Sequence, residues 1–304
     1  MQGDTLRIGT RGSPLALAQA HDVRRRLMES GLAADQIEIV VIRTSGDRIQ
    51  DRPLAEVGGK GLFTKEIEEA LLDGGIDLAV HSMKDVETKL PKGLEIAAML
   101  PREDVRDAFI SLKYASLAAV PAGGVIGTSS LRRRAAVLRL RPDVRIVEFR
   151  GNVETRLAKL EAGVADATLL ACAGLNRLGQ AGRITVAMDP GQMLPAVAQG
   201  AVGIEIRSSD ARTRAAVARL DDPVTTVCVA AERAFLARLD GSCRTPIAAL
   251  ARLDGDRIAL TGTLLATDGS QAWTATRSGP VADATRLAVA AAEEVLAAAG
   301  ARAR

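Results

Sequence analysis

Residues 6–20, LRIGTRGSPLALAQA, decide the fold, because a strand pattern changes directly into a helix pattern within them. The apolar start over residues 6–10 predicts a short buried strand. Ser13 is a favoured N-cap residue, and Pro14 then stands at the first helical position, where its fixed backbone angle suits a helix. The stretch therefore predicts the strand-turn-helix unit from which α/β proteins are built.

A similar stretch occurs once more in the chain. Residues 8–13 (IGTRGS) lead into the first helix, and residues 126–130 (IGTSS) lead into another. A second pair of similar stretches is residues 75–79 (GIDLA) and 163–167 (GVADA), which are separated by a different number of residues from the first pair. The pattern is consistent with an internal duplication followed by insertions or deletions. Two such units, each with helix N-termini at strand ends, predict a cleft lined by backbone N–H groups that suit an anion.

The remaining pattern divides the chain into an alternating part and a final part of another kind. Strands are predicted over residues 36–43, 76–81, 94–100 and 144–149, and helices over residues 62–73 and 152–162. Residues 44–60 are polar and glycine-rich, which predicts a mobile loop near a site. The final part predicts a helix over 223–238, strands over 247–253, 257–265 and 271–278 separated by Asp-Gly turns, and a helix over 281–299.

Composition narrows the function classes. The chain has 304 residues, of which 47% are hydrophobic and 25% charged, and this is typical of a soluble protein of two or three domains. The net charge is +3 and aromatic residues make up 2%, too few for base-stacking platforms, so no nucleic-acid partner is expected despite the run Arg132–Arg134. Without a membrane-spanning run or a signal peptide, we expect a cytoplasmic protein and no membrane partner.

The cysteines and histidines indicate where chemistry is located. With two histidines and no CxxC or HExxH motif, no metal site is expected. Cys172 and Cys228 lie in apolar runs and are predicted core residues. Cys243 lies in the polar stretch LDGSCRTP (239–246) beside Arg244, which favours some thiolate character. It is either a nucleophile or attachment point, or an exposed cysteine without a role.

Charged residues at predicted strand ends are the other candidates. Lys84 and Asp85 follow a strand, where an acid can act on substrate or form an ordinary ion pair. His81 ends the same strand, as a hydrogen-bonding residue or as part of the site. Lys60 stands in a glycine-rich segment that lacks the spacing of a phosphate-binding loop. A flexible segment of this kind could bring Lys60 towards an anion. Arginines at strand ends and helix starts suit bidentate capture of carboxylate or phosphate.

Seven stretches together carry a resemblance that none of them carries alone. They are GTRGSPLALAQA (9–20), AVHSMKD (79–85), GTSSLRRR (127–134), FRGNVETRL (149–157), AGLNRLG (173–179), LPAVAQGAVGIE (194–205) and GSCRTPI (241–247). With these motifs in this order, the chain resembles the porphobilinogen deaminase (hydroxymethylbilane synthase) family from about residue 6 to the last helix.

The resemblance implies an α/β fold with two similar periplasmic-binding-protein-like α/β domains around a cleft, plus a small C-terminal α+β domain with a three-stranded antiparallel sheet. Domain 1 would comprise residues 1–100 and 201–218, domain 2 residues 101–200 and domain 3 residues 219–304. We expect a monomer.

The resemblance also implies an enzyme, a transferase of haem and tetrapyrrole biosynthesis. It would join four molecules of its small-molecule substrate porphobilinogen head to tail, releasing ammonia from each. The chain would grow on a dipyrromethane cofactor held by a thioether to Cys243, and water would then release hydroxymethylbilane. On this interpretation Cys243 is an anchor.

Site residues follow from the matching motifs. Asp85 matches the family's catalytic acid, which would stabilise the cation left by ammonia loss and handle the proton lost afterwards. Residues implied to bind the cofactor are Cys243, Lys84, Ser82, Thr128, Ser129, Arg132, Arg133, Arg150 and Asn152. Residues implied to bind substrate are Arg11, Ser13, Lys60, Phe63, Arg156, Arg177 and Gln199. Phe63 is equally compatible with a core role at a helix start.

The sequence differs from the family pattern at two positions near the predicted site, and three other functions are considered as alternatives. Ser242 replaces a usual glycine beside Cys243, and Glu87 stands where a proline is usual. A periplasmic-type solute-binding module would need neither Cys243 nor Asp85. A nucleic-acid binder would show salt-sensitive binding of oligonucleotides. A cysteine hydrolase would need a histidine near Cys243 and would be inactivated by alkylation of that thiol.

Overall fold

Strands and helices alternate along most of the chain, and the computed structural model describes residues 5–48, 61–239 and 245–300. The strands are β1 (Leu6–Arg11), β2 (Ile37–Ile42), β3 (Leu78–Ser82), β4 (Leu94–Met99), β5 (Asp107–Ile110), β6 (Val125–Gly127), β7 (Arg145–Val147), β8 (Ala167–Ala171), β9 (Val186–Ala187), β10 (Val202–Arg207), β11 (Ile247–Asp254), β12 (Arg257–Leu265) and β13 (Ala272–Pro280). The α-helices are α1 (Pro14–Glu29), α2 (Ser45–Arg48), α3 (Lys65–Leu72), α4 (Leu131–Leu140), α5 (Val153–Glu161), α6 (Cys172–Arg177), α7 (Ala211–Val217), α8 (Pro223–Arg238) and α9 (Ala284–Gly300).

The chain separates into two compact units. The first contains Met1–Glu103 and Ala201–Thr226, and the second contains Asp104–Gly200 and Val227–Arg304. The chain therefore leaves the first unit after β4 and returns to it at β10. The three predicted domain boundaries stay a prediction.

The first unit is built on a five-stranded sheet in the order β2-β1-β3-β10-β4. Strand β1 is parallel to β2 and β3, whereas β10 is antiparallel to β3 and β4. Helix α1 begins at Pro14, and the Ser13 hydroxyl accepts a hydrogen bond from the Ala16 N–H at 3.3 Å, as the sequence predicted. The helix buries Val23 and Leu27 in the core that includes Ile8, which places the arginines of residues 24–26 away from that core.

The second unit repeats this topology in the order β7-β6-β8-β5-β9. Strand β6 is parallel to β7 and β8, and β5 is antiparallel to β8 and β9. Ser130 caps α4 as Ser13 caps α1, by accepting from the Arg133 N–H. The echo between residues 8–13 and 126–130 thus marks equivalent strand-to-helix turns, and the prediction of two similar α/β units is confirmed.

The C-terminal part of the second unit is a small α+β element, as predicted. Strands β11, β12 and β13 form a three-stranded antiparallel sheet, and β11 turns into β12 through Gly255, which has a φ of +57°. The ring of Phe235 from α8 packs on Gly262, where a Cβ would lie 2.3 Å from its nearest atom. Helix α9 buries Ala288, Ala292 and Val295. The predicted antiparallel sheet is confirmed.

One expectation about local structure is corrected. Residues 44–60 were expected to be loop, but Ser45–Arg48 form the single-turn helix α2. The Glu66 carboxylate accepts a hydrogen bond from the Ser45 N–H at 2.8 Å, which supplies the helix start with a partner from α3. Residues 49–60 lie outside the described part of the chain. Across the described ranges, no helix combines the length and the apolar character that crossing a membrane requires.

Candidate active site

In the first unit, the predicted acid stands at the end of β3. Residues Met83–Asp85 form a 3₁₀ turn, with Met83 buried and its N–H donating to Ala201 O at 3.0 Å. This anchor leaves Lys84 and Asp85 exposed on the outside of the turn. The Asp85 carboxylate has no hydrogen bond or ion pair with any other described residue. It is therefore available to a ligand.

The neighbouring Ser82 is held from α1. Its hydroxyl lies 2.9 Å from Gln19 Nε2 and 3.1 Å from Gln19 Oε1. Gln19 is 3% exposed, so this amide has little water to compete for its hydrogen bonds. Sequence reasoning missed Gln19, although a polar residue one position from the buried stripe of α1 was a signal that could have found it.

Arg11 and Phe63 lie together in the same unit. The Arg11 guanidinium carbon is 4.2 Å from the centre of the Phe63 ring, a cation–π contact. Phe63 precedes α3 and is half-buried, and its ring also packs on Gly46, where a Cβ would lie 2.3 Å away. Arg11 ends β1, so the stacked ring limits the positions that the guanidinium can take. The Ser13 hydroxyl is occupied as the α1 cap.

A buried titratable cluster lies behind this strand end. His81 Nε2 is 2.9 Å from Glu205 Oε2 of β10, and the two side chains are 4% and 0% exposed. The other oxygen of Glu205 is buried without a described partner. Burial, together with the nearby charge of Glu205, raises the pKa of Glu68 above its ordinary value. Of the two roles considered for His81, the structure supports a buried hydrogen-bonding residue.

In the second unit, two predicted arginines meet a carboxylate that sequence reasoning missed. Asp107 is fully buried and starts β5. Its Oδ2 accepts from Arg132 Nη1 at 2.7 Å, and its Oδ1 accepts from Arg132 Nη2 at 3.1 Å and Arg133 Nε at 2.9 Å. Burial acts to raise the pKa of Asp107, but the charges of Arg132 and Arg133 outweigh it and hold that pKa well below its ordinary value. An acidic residue opening the apolar strand DAFI was the available signal.

Gln199 joins the same cluster. Its Nε2 donates to Val105 O at 2.8 Å and approaches Asp107 Oδ1 at 3.3 Å. The preceding Ala198 has a φ of +59°, which an alanine adopts only at a cost in energy. The buried Glu232 of α8 holds it there by accepting from the Ala198 N–H at 2.7 Å. This backbone strain therefore lies directly beside a predicted site residue.

Three predicted hydrogen-bonding residues support the local backbone. Thr128 is buried, and its hydroxyl accepts from the Ser130 N–H at 3.2 Å. The Ser129 hydroxyl accepts from the Phe149 N–H at 3.0 Å. Asn152 caps α5, with Oδ1 accepting from the Thr155 N–H at 2.8 Å. These contacts give each residue a structural role, and the predicted ligand roles stay predictions.

The other predicted arginines of this unit lie at or near helix ends. Arg150 and Arg156 flank the start of α5 and are half-buried. Arg177 ends α6 and donates from Nη2 to Gly200 O at 2.8 Å. The predicted site residues Lys60 and Cys243 lie outside the described residues.

The structure also shows the surroundings of two cysteines and of Glu87. Cys172 and Cys228 are buried, as predicted. Burial raises the pKa of the Cys172 thiol to about 11, which makes it a poor nucleophile. Glu87, at the position where the family usually has proline, accepts from the Gly61 N–H at 2.8 Å. Within the described ranges, no group of three or more His, Cys, Asp or Glu side chains is arranged to hold a metal ion.

The two units thus offer complementary chemistry. The first presents an exposed carboxylate beside a lysine, which can stabilise positive charge and move a proton. The second presents arginines, two of them buried around one carboxylate, which suits them to fixed anionic groups.

Comparison with known proteins covers nearly the whole chain. Residues 6–215 match the family model of the porphobilinogen deaminase dipyrromethane cofactor binding domain, and residues 226–297 match that of the porphobilinogen deaminase C-terminal domain. The porphobilinogen deaminase of Paracoccus denitrificans (strain Pd 1222) is 60% identical over 291 residues, 95% of this chain and 93% of that protein. The porphobilinogen deaminase of Nitrobacter hamburgensis is 60% identical over 289 residues, 95% of this chain and 92% of that protein.

A solved structure with some similarity is a periplasmic substrate-binding protein of an ABC transporter from Coxiella burnetii. It is 16% identical, the alignment covers 75% of this chain and 97% of that chain, and the TM-score is 0.44. A similarity this weak does not bear on function. The two family models and the relatives at 60% identity do, and they establish that this chain belongs to the porphobilinogen deaminase family.

Proposed function

We propose that this chain is a transferase that joins four porphobilinogen molecules head to tail, releases ammonia at each addition, and then releases hydroxymethylbilane by hydrolysis. The reaction is a step of haem and tetrapyrrole biosynthesis. One observation carries the proposal: residues 6–215 match the family's cofactor-binding domain. Every predicted site residue except Cys243 falls within that range.

The cofactor would be a dipyrromethane joined by a thioether to Cys243. It supplies the primer to which pyrrole units are added, and its acetate and propionate groups are fixed negative charges. The residues present fit such a group. Arg132 is 5% exposed, and its buried Nε has no partner in the described part of the chain, which is a donor that a ligand carboxylate can satisfy.

Arginines would hold the carboxylates of the cofactor and of the growing chain. Each porphobilinogen adds an acetate and a propionate, and a guanidinium binds a carboxylate with two parallel hydrogen bonds while staying protonated. In this assignment Arg132, Arg133 and Arg150 serve the cofactor, and Arg11, Arg156 and Arg177 serve substrate rings. Lys60 and Lys84 add charge.

Neutral side chains would complete the binding of the pyrrole chain. Ser82, Thr128, Ser129 and Asn152 would contribute hydrogen bonds to the cofactor, and Ser13 and Gln199 to substrate rings. Phe63 would limit the movement of Arg11 through their 4.2 Å contact.

Asp85 would be the catalytic residue. Loss of ammonia leaves an electron-poor methylene-pyrrole, and a carboxylate near the pyrrole nitrogens stabilises that positive charge. The same carboxylate can then take the proton released when the new bond forms and the ring regains aromaticity. Its exposure at the end of β3 and its lack of a partner in the described ranges support this role.

We further propose that the protein acts as a monomer in the cytoplasm. The large apolar side chains exposed on the described residues belong to separate elements, among them Met28 of α1, Val41 of β2 and Val224 of α8. Single exposed apolar residues of this kind are normal on a monomer.

The proposed activity is tested with purified protein and porphobilinogen. Ammonium and hydroxymethylbilane are measured over the same time course, and we expect four ammonium ions for each hydroxymethylbilane. Consumption of porphobilinogen without ammonium, or no consumption at all by protein loaded on Cys243, would reject the proposed reaction.

A further inference from the structure

The buried cluster around Asp107 has an unequal charge count. One carboxylate faces two guanidiniums, and the exposed fractions of the three side chains are 0% for Asp107, 6% for Arg132 and 7% for Arg133. Arginine stays protonated in proteins, and the two guanidiniums keep the Asp107 carboxyl ionised. The cluster therefore carries one net positive charge in a place where water cannot screen it.

Asp107 occupies the two arginines to different extents. All three nitrogens of Arg133 are engaged, with Nε and Nη2 on Asp107 Oδ1 at 2.9 and 2.8 Å and Nη1 on Leu169 O at 3.0 Å. Arg132 instead meets Asp107 through its two Nη atoms, and Nη1 also donates to Leu194 O at 3.0 Å. The Nε atom of Arg132 remains without a described partner.

The position of the free donor has a chemical consequence. In a guanidinium, Nε and Nη2 form one edge whose two N–H groups are parallel, and this edge accepts one carboxylate side-on. Asp107 lies on the Nη1 and Nη2 end of Arg132, so it leaves that edge intact. The remaining edge and the single net positive charge both match one ligand carboxylate.

We propose that Asp107 is a positioning residue, an internal carboxylate that fixes Arg132 so that one further carboxylate binds at its Nε edge. This inference rests on the proposed function, which supplies a carboxylate-bearing pyrrole chain as the ligand. Asp107 itself contacts no ligand. It sets the direction of the guanidinium and limits the cluster to one anionic partner.

A purely structural role for Asp107 makes a different prediction. Removing a buried carboxylate from two arginines destabilises a protein in either case. If stability were the only role, a folded variant would acquire the cofactor as the wild type does. Loading of the folded chain with cofactor therefore separates the two explanations, and it does not depend on measuring turnover.

The test uses Asp107→Glu, Asp107→Asn and the matched control Asp143→Asn. The glutamate variant keeps the charge and moves the carboxylate by one methylene group. Asp143 receives two hydrogen bonds from Arg141, both at 2.7 Å, beyond the other end of α4, but it is exposed. Intact mass of each purified protein gives the fraction with an adduct on Cys243, and urea unfolding identifies the folded variants.

We expect wild type and Asp143→Asn to carry the cofactor adduct on Cys243. In folded Asp107→Glu the fraction of protein with this adduct should be at least about tenfold lower, which is the effect of losing one charge-assisted hydrogen bond. A folded Asp107→Glu protein loaded to the wild-type level would overturn the proposal. If that variant does not fold, Asp107→Asn decides by the same criterion. A wild-type protein that never gains an adduct when incubated with porphobilinogen would instead reject the proposed function.

Discussion

Replacing Glu232 by glutamine tests how the strained segment beside Gln199 is held. The carboxylate of Glu232 is fully buried, with Oε2 accepting from the Ala198 N–H at 2.7 Å and Oε1 accepting from the Ala251 N–H at 2.9 Å. It thus ties α8 both to the residue with a φ of +59° and to strand β11. Glutamine has nearly the same shape but only one acceptor oxygen.

The magnitude follows from these two contacts. The variant loses one hydrogen bond to a charged acceptor, worth about 1.5–3 kcal/mol, and leaves one buried N–H facing an amide NH₂, at a further cost of about 1–3 kcal/mol. We expect the free energy of unfolding to fall by about 3–5 kcal/mol, measured by urea denaturation with linear extrapolation.

The control is Glu293→Gln on α9. Glu293 also pairs with α8, through Arg238 at 3.2 Å, but its side chain is 55% exposed. Its loss should change the free energy of unfolding by less than about 0.5 kcal/mol. A decrease below about 1 kcal/mol for Glu232→Gln, with an unchanged slope in urea, would refute the argument that this carboxylate holds Ala198.

Three further predictions concern the site, the pH dependence and the thiols. Asp85→Asn should lower ammonia release at least about 100-fold and leave the urea midpoint unchanged, whereas a wild-type rate would exclude Asp85 as the acid. Burial opposes ionisation of Asp77, but hydrogen bonds from Arg7 outweigh it and lower the pKa of Asp77. Ionised Asp77 therefore stabilises the folded protein fully above about pH 4, and this contribution is lost as the pH falls further. On acidification, the free energy of unfolding of Asp77→Asn should therefore fall less than that of the wild type. Parallel plots of the free energy of unfolding against pH for the two proteins would contradict this. Cys172 should resist iodoacetamide at pH 8 until the protein unfolds, and rapid labelling of the native protein would contradict its burial.

Local signals in the sequence predicted the parts of the fold that depend on neighbouring residues. Ser13 and Ser130 start their helices as expected, because a cap needs only the next turn of chain. The Asp-Gly turn at Gly255 and the three final strands were predicted for the same reason. Strand β10 was not predicted. Its pairing with β3 and β4 belongs to the tertiary fold, because it brings the chain back to a sheet that it left more than a hundred residues earlier.

The candidate site was predicted less completely than the fold. Motifs named the residues that carry charge, but they did not reveal that Arg132 and Arg133 share the buried Asp107. Asp107 follows a run of charged residues in PREDVRD, which is typical of an exposed loop. Its burial is a consequence of β5 lying between β8 and β9, a tertiary arrangement for which the apolar strand that follows Asp107 was the one local signal.

The most direct test of the proposed function is the mass of the whole chain under denaturing conditions, followed by peptide mapping over residues 239–246. Our account predicts an added mass equal to two linked pyrroles. It also predicts that this mass is located on Cys243 and that the Cys243 thiol, being blocked by the adduct, does not react with an alkylating reagent. A chain whose Cys243 is unmodified, alkylates freely and gains no adduct on incubation with porphobilinogen would contradict it.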